Sequence, residues 1–141
     1  MELKPKLSVL YATQTGNAQD VAERIGREAE HQHFDTLVIP IDGFDLGRLE
    51  SEELAVFIVS TTGQGDPPDM MKSFWRFLLR RSLSAAWLKN LKFAVFGLGD
   101  SGYLQYNVVA KKLDRRLSDL GGTPIIERGL GDDQHPSGFV L

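Results

Sequence analysis

The chain has 141 residues and none of them is cysteine. Disulfide bonds, thiolate metal sites and cysteine nucleophiles are therefore excluded. No apolar run is long enough to cross a bilayer, and residues 1–12 lack the apolar region and the cleavage site of a secretory signal. These absences predict a cytoplasmic protein, kept in a reducing compartment, that has no membrane partner.

Positive charge does not dominate the chain either. The chain carries 16 lysines and arginines against 19 aspartates and glutamates, a net charge of −3, and no basic stripe. Nucleic acid is therefore not an expected partner. The three histidines lack the spacing of metal ligands, and the Gly-x-Ser-x-Gly motif of hydrolases is absent. Neither a metal site nor a catalytic nucleophile is predicted.

Strand-like and helix-like segments alternate along the chain, which we interpret as one domain, residues 1–141. The hydrophobic patterns predict strands over residues 7–12, 36–41, 54–60, 93–97 and 124–130, and helices over residues 18–31, 68–81 and 106–120. This alternation indicates an α/β fold with helices on both faces of a parallel sheet. Five strands favour a doubly wound sheet of flavodoxin-like order, 2-1-3-4-5.

The loops that follow predicted strands 1, 3, 4 and 5 are rich in glycine, hydroxyl groups and aspartate. In a doubly wound sheet these loops meet at one edge, and ligands bind there, between strands 1 and 3. The sequence therefore predicts a ligand site at the carboxyl ends of the strands.

The first of these loops has the properties of a phosphate site. Its residues are Thr13-Gln14-Thr15-Gly16-Asn17-Ala18, with no lysine or arginine. Amide groups at a helix amino terminus attract anions. The missing lysine argues against a nucleotide-binding P-loop and favours a single phosphate. A purely structural alternative makes Thr15 the helix N-cap and Gly16 a tight turn.

Two features of the loop after strand 4 leave alternatives open. Residues 97–102 match G-x-G-x-x-G, but they follow the fourth strand and lack the acidic residue of a dinucleotide site, so a dinucleotide is disfavoured. Tyr103 either packs onto its own domain or stacks on a planar ligand.

Four segments together resemble, in order, the FMN-binding domains of the diflavin reductases, a family that includes cytochrome P450 reductase. Within that family, the similarity is strongest to the NADPH-dependent diflavin oxidoreductase 1 group. The segments are Thr13-Gln14-Thr15-Gly16-Asn17-Ala18, Ser60-Thr61-Thr62-Gly63-Gln64-Gly65-Asp66-Pro67, Phe96-Gly97-Leu98-Gly99-Asp100-Ser101-Gly102-Tyr103 and Gly129-Leu130-Gly131-Asp132-Asp133.

The resemblance implies an FMN-binding electron-transfer domain, an oxidoreductase without a catalytic side chain. In the family, a carboxyl-terminal half that binds FAD and NADPH passes single electrons to FMN. FMN then reduces an iron–sulfur or haem protein, which for this group is implied to belong to cytosolic iron–sulfur assembly. The chain alone is not expected to oxidise NADPH. The alternative function is a non-redox, flavodoxin-like docking module without flavin.

The resemblance also assigns site residues. The FMN phosphate would be held by Thr13, Gln14, Thr15, Gly16, Asn17 and Ala18. One side of the isoalloxazine ring would be flanked by Ser60, Thr61, Thr62 and Gly63. The other side would be lined by Leu98, Gly99, Asp100, Ser101, Gly102, Tyr103, Leu104, Gln105, Tyr106 and Asn107, with Tyr103 stacking on the ring. Asp133 would close the site.

The chain departs from the family pattern in two places. Thr62 stands where relatives of P450 reductase often have an aromatic residue. The sequence stops at Leu141, before the last helix of the family's domain. We therefore expect that helix to be missing and one face of the sheet to be partly uncovered.

Overall fold

A parallel β-sheet forms the centre of the computed structural model, which describes residues 4–13, 16–61, 66–99 and 107–125 and the backbone of residues 129–132. The strands are β1 (Lys6–Ala12), β2 (Asp35–Pro40), β3 (Leu54–Ser60), β4 (Lys92–Gly99), β5 (Thr123–Pro124) and β6 (Gly129–Asp132). The order is β2-β1-β3-β4-β5, and β6 also pairs with β4. All pairs are parallel. The predicted 2-1-3-4-5 order is confirmed.

The central strands are apolar on both sides because helices cover both faces of the sheet. Residues 55–59 of β3 are all buried. Helix α1 (Asn17–His31) packs Ala18, Ala22 and Ala29 onto one face. Helices α2 (Lys72–Leu78) and α3 (Val108–Asp119) cover the other face, together with two 3₁₀ turns, Ile41–Gly43 and Leu46–Ser51. No helix among the described residues combines the length and apolarity that a membrane span requires.

The fifth strand differs from its prediction. Instead of one strand over residues 124–130, β5 pairs with the start of β4 and β6 pairs with its end. Thr123 aligns with Lys92, whereas Gly129 aligns with Phe96, so the register shifts by two residues between the two pieces. Pro124 lacks an amide N–H and favours interruption of an edge strand. The sheet nevertheless keeps five strand positions.

The sheet face that α1 covers is apolar along the central strands. Val56, Ile58 and Ala94 on this face are buried, while Leu54 and Phe96 are half-buried. The expectations that the last helix is missing and that one face of the sheet is partly uncovered depend on the end of the chain; residues 133–141 lie outside the described residues, and both expectations stay predictions.

Helix α2 is shorter than the predicted helix over residues 68–81. A 3₁₀ turn, Asp69–Met71, precedes it, and it ends at Leu78. Arg116 of α3 explains this end: its Nε donates to the carbonyl oxygen of Leu78 at 2.6 Å, and its Nη2 donates to that of Arg80 at 3.3 Å. At Leu78 the guanidinium therefore supplies a donor to a carbonyl oxygen of the last helical turn, which has no partner within the helix.

We expect Arg116→Ala to lower the free energy of unfolding by about 1.5 kcal/mol, because hydrogen bonds from a charged donor are among the stronger ones. Denaturant unfolding measures this change, and Arg115→Ala is the control because Arg115 is exposed on the same helix. Equal losses for both variants would show that Arg116 does not hold the end of α2.

Candidate functional site

The carboxyl ends of β1, β3, β4 and β6 meet at one edge of the sheet. Ala12 aligns with Val59, Ser60 aligns with Leu98, and Gly99 aligns with Asp132. The loops that the sequence singled out therefore start from neighbouring positions. This edge is the candidate site.

The structure describes nine of the predicted cofactor residues. They are Thr13, Gly16, Asn17, Ala18, Ser60, Thr61, Leu98, Gly99 and Asn107. The other twelve lie outside the described residues: Gln14, Thr15, Thr62, Gly63, Asp100, Ser101, Gly102, Tyr103, Leu104, Gln105, Tyr106 and Asp133. Their assignments stay predictions.

The loop between β1 and α1 turns back on itself. The Gly16 amide donates to Oγ1 of Thr13 at 2.7 Å. Gly16 has a φ of 96°, a left-handed conformation that glycine adopts without steric cost. Gly16 is also the N-cap of α1, and it has no side chain with which to accept the first helical amides. Those amides are thus suited to an external acceptor.

The donors of this loop match the chemistry of a phosphate. The positive end of the α1 dipole lies here, and backbone amides at such an end bind anions without a basic side chain. The Thr13 hydroxyl accepts one hydrogen bond from Gly16 and keeps its own hydrogen available to donate. The described residues of this loop therefore fit a group with one phosphate.

Thr61 ties the end of β3 to α3. Its amide donates to the carbonyl oxygen of Leu98 at 3.1 Å, which extends the pairing of β3 with β4. Its Oγ1 accepts from the Val109 amide at 3.2 Å and so satisfies one of the first amides of α3. The hydroxyl of this predicted ring-flanking residue is thus engaged with the helix.

We expect Thr61→Val to destabilise the fold by about 1 kcal/mol, the usual cost of losing a helix cap, since valine keeps the shape but loses the acceptor. Thr61→Ser should retain most of the stability. Thermal or denaturant unfolding of the two variants measures the difference. If serine were as costly as valine, the hydroxyl contact would not account for the effect.

Asn107 lies beneath the edge rather than in an open loop. It is fully buried and adopts a left-handed φ of 50° as the N-cap of α3. A Cβ on Gly97 would lie 2.8 Å from Asn107 Oδ1 and 2.5 Å from the Cβ of Ala110, and a Cβ on Gly99 would lie 2.8 Å from the same oxygen. The first two glycines of the G-x-G-x-x-G match therefore allow α3 to pack closely against β4. This packing explains the presence of both glycines without a dinucleotide ligand.

Sequence reasoning missed Met70, which lies in the 3₁₀ turn before α2. The Thr13 amide donates to Sδ of Met70 at 3.1 Å, across 57 positions of sequence. No motif or periodicity marks this residue. The contact joins the loop after β1 to the segment that follows the loop after β3.

Charge near the site is modest among the described residues. Asp66 is exposed, and Asp69 pairs with Lys72 at 2.7 Å, a contact that raises the pKa of the lysine. Burial raises the pKa of Tyr11 above its ordinary value, with smaller contributions from Glu23 and Asp42, so this phenol stays neutral at physiological pH. Within the described part of the chain, no three acidic or histidine side chains form a metal cluster.

Comparisons with known proteins agree on one family. A family model described as flavodoxin matches residues 9–139. NADPH-dependent diflavin oxidoreductase 1 of Arabidopsis thaliana is 65% identical over 139 residues, which is 98% of this chain and 22% of the relative. The mouse protein of the same name, from Mus musculus, is 52% identical over 95% of this chain and 22% of its own length. The chain thus spans about a fifth of these relatives.

Solved structures share the fold. Oxidised flavodoxin 1 from Bacillus cereus has a TM-score of 0.75 and 27% identity, covering 88% of this chain and 82% of that chain. A flavodoxin from Streptococcus pneumonia has a TM-score of 0.79 and 23% identity, covering 90% and 84%. At 23% identity, the second similarity shows a shared fold alone.

Proposed function

Because the chain belongs to the flavodoxin family, as an FMN-binding domain of the diflavin oxidoreductase kind, we propose that it relays single electrons from an FAD- and NADPH-binding half to an acceptor protein. Bound FMN supplies the one-electron chemistry. The protein's own task is to bind, orient and partly cover the cofactor.

One observation of the structure carries this proposal furthest. The loop after β1 places a helix amino terminus whose N-cap, Gly16, has no side chain together with the Thr13 hydroxyl, at the edge where four strands end. These hydrogen-bond donors suit a monophosphate that binds without a metal ion. FMN has one such phosphate, whereas a dinucleotide has a pyrophosphate that would approach through glycines. Gly97 and Gly99 are occupied by the packing of α3.

The proposed roles of the residues follow the resemblance. Residues 13–18 hold the phosphate, residues 60–63 and 98–107 flank the ring, and Asp133 closes the site. Tyr103 stacks on the ring, because an aromatic side chain in a glycine-rich loop can lie flat against a planar ligand. The buried side chain of Asn107 packs against Gly97 and Gly99 and so holds the end of β4 in place beneath the ring.

The proposal also names an electron donor and an electron acceptor for the chain. The electron donor would be an FAD/NADPH half of the kind that the relatives' name implies. The acceptor would be an iron–sulfur protein of cytosolic iron–sulfur assembly. The absence of cysteine supports a cytoplasmic location, because the chain needs no oxidising compartment for its fold.

Electron transfer is tested by mixing the FMN-loaded chain with the separately purified FAD/NADPH half of the Arabidopsis relative. We expect FMN to be bleached by NADPH only when both proteins are present, and NADPH to be consumed beyond what the reductase half consumes alone. The flavin-free chain with the same reductase half is the matched control. NADPH oxidation by this chain alone, or an FMN that stays oxidised beside the active reductase half, would contradict the proposal.

The acceptor is tested separately from the relay. The reduced chain is mixed, without oxygen, with either an oxidised iron–sulfur protein of cytosolic cluster assembly or cytochrome c, and both reductions are followed by absorbance. Faster reduction of the iron–sulfur protein supports the assigned acceptor. Reduction of the haem protein alone would keep the relay and overturn the acceptor.

A further inference from the structure

Thr13 is held from two sides in the structure. Its amide donates to Sδ of Met70 at 3.1 Å, and its hydroxyl oxygen accepts from the Gly16 amide at 2.7 Å. The first contact fixes the peptide plane between Ala12 and Thr13. The second contact fixes the side chain. Thr13 is therefore locked in one orientation at the point where β1 becomes the loop.

The position of Met70 suits it to this contact. Its side chain is half-buried and packs against both hydrophobic clusters, one on each face of the sheet. Its backbone is anchored by its neighbours: Met71 is fully buried, and the Met71 amide donates to the Pro68 carbonyl oxygen at 2.9 Å. The turn therefore holds the backbone of Met70, and packing against the two clusters holds its side chain.

The contact has a chemical consequence for anion binding. Amides in a phosphate-binding loop act together only when their peptide planes keep a fixed arrangement. The Thr13 amide is directed to sulfur, a weak acceptor, and not to the interior of the loop. A side chain of the same size without an acceptor would leave this amide to rotate toward another partner. The Thr13 hydroxyl would then leave its place beside Gly16.

We propose that Met70 is a positioning residue of the phosphate loop, residues 13–18, and that its sulfur holds Thr13 in the orientation that favours the FMN phosphate. The inference rests on the proposed function, because it assumes that this loop takes the phosphate. It also links two parts of the site, since the Met70 turn directly follows the loop after β3.

Flavin titrations of the flavin-free chain test the proposal with FMN and with riboflavin, which lacks the phosphate. Met70→Leu keeps the volume and removes the acceptor. We expect it to raise the Kd of FMN about fivefold, the effect of one hydrogen bond, and to change the Kd of riboflavin less than about twofold. Met70→Gln places an amide oxygen on a side chain of similar length, so it should restore most of the preference for FMN.

Met71→Leu is the matched control, because Met71 is buried in the same turn and supports the fold without the contact to Thr13. It should leave the ratio of the two Kd values unchanged even where it lowers stability. Equal effects of Met70→Leu on FMN and riboflavin, or no effect on either, would overturn the proposal while the proposed function stood.

Hydrogen exchange of the Thr13 amide, followed by NMR on the flavin-free chain, tests the contact without any flavin. We expect exchange to accelerate several-fold in Met70→Leu and to remain slow in Met70→Gln and Met71→Leu. Should the wild-type chain bind neither flavin, the proposed function fails, and this role of Met70 in binding phosphate fails with it. Unchanged exchange in Met70→Leu would show that the sulfur does not hold Thr13.

Discussion

Replacing Gly97 by alanine should destabilise the fold by about 2 kcal/mol, the usual cost of forcing extra volume into a packed region. The new Cβ would lie 2.5 Å from the Cβ of Ala110 and 2.8 Å from Oδ1 of Asn107. Neither neighbour can move freely, because Ala110 is fully buried in α3 and Asn107 is buried at its N-cap. Helix α3 must therefore shift away from β4. FMN binding should weaken with it, since the same helix supports the edge of the sheet.

The control for this substitution is Gly47→Ala. A Cβ on Gly47 meets only Asp45 Oδ1, at 3.5 Å, which is ordinary contact. We expect a change of less than about 0.5 kcal/mol in the free energy of unfolding, typical of surface substitutions. Denaturant unfolding of the two variants compares the two glycines directly.

The double variant Gly97→Ala/Ala110→Gly separates packing from backbone effects. Removing the Ala110 Cβ returns space to the new methyl group, so the double variant should lose less stability than the sum of the two single losses. If Gly97 were needed for the backbone conformation and not for the close packing of α3, the double variant would lose as much stability as the two single variants together. That result would remove our explanation of the first two glycines in the G-x-G-x-x-G match.

Replacing Thr13 by valine should raise the Kd of FMN at least about tenfold, because a hydrogen bond to a charged group is worth more than one between neutral groups. Valine keeps the branched shape but has no hydroxyl. The variant therefore loses the acceptor for the Gly16 amide and the donor offered to the phosphate. Riboflavin should lose much less affinity, and Thr13→Ser should restore most of the binding of FMN.

Thr36→Val is the matched control for the change of residue type. The hydroxyl of Thr36, in β2, makes one long contact, 3.4 Å, to the Phe34 carbonyl oxygen. Its loss should leave the affinities of both flavins unchanged. Equal losses of FMN and riboflavin in Thr13→Val would mean that the hydroxyl shapes the whole site and does not favour the phosphate.

The sequence predicted the fold well where hydrophobic patterns are long. The predicted and observed bounds of β3 are the same, residues 54–60, because a strand buried on both faces is a continuous apolar run ended by polar residues. The predicted 106–120 helix, α3, also ends before Gly121 and Gly122 as expected. Strand order followed from the alternation of elements.

Contacts between distant parts of the chain could not be predicted in the same way. Arg116 contacts the end of α2 across 38 and 36 positions, and no local pattern in the sequence marks these contacts. Met70 reaches Thr13 across 57 positions, and its partner is a backbone amide, which leaves no trace in residue type. The split of the fifth strand is a two-residue shift in its pairing with β4, which the apolar run of residues 124–130 does not indicate.

The sequence predicted the edge at which the loops start, but not what every side chain contacts there. The loop after β1 has the donors and the left-handed glycine that its sequence suggested. Asn107 and Thr61, expected beside the ring, have side chains engaged with the packing and capping of α3. Hydroxyl and amide side chains serve a ligand or a helix end equally well, so residue type alone does not separate these roles.

Titration of the flavin-free chain with FMN and with riboflavin tests the central claim most directly. We predict one FMN per chain, bound at least about tenfold more tightly than riboflavin, because the loop after β1 contributes hydrogen bonds that only the phosphate can accept. Equal affinities for the two flavins, or no binding of either, would contradict the assignment of this loop to a phosphate and with it the proposed FMN site.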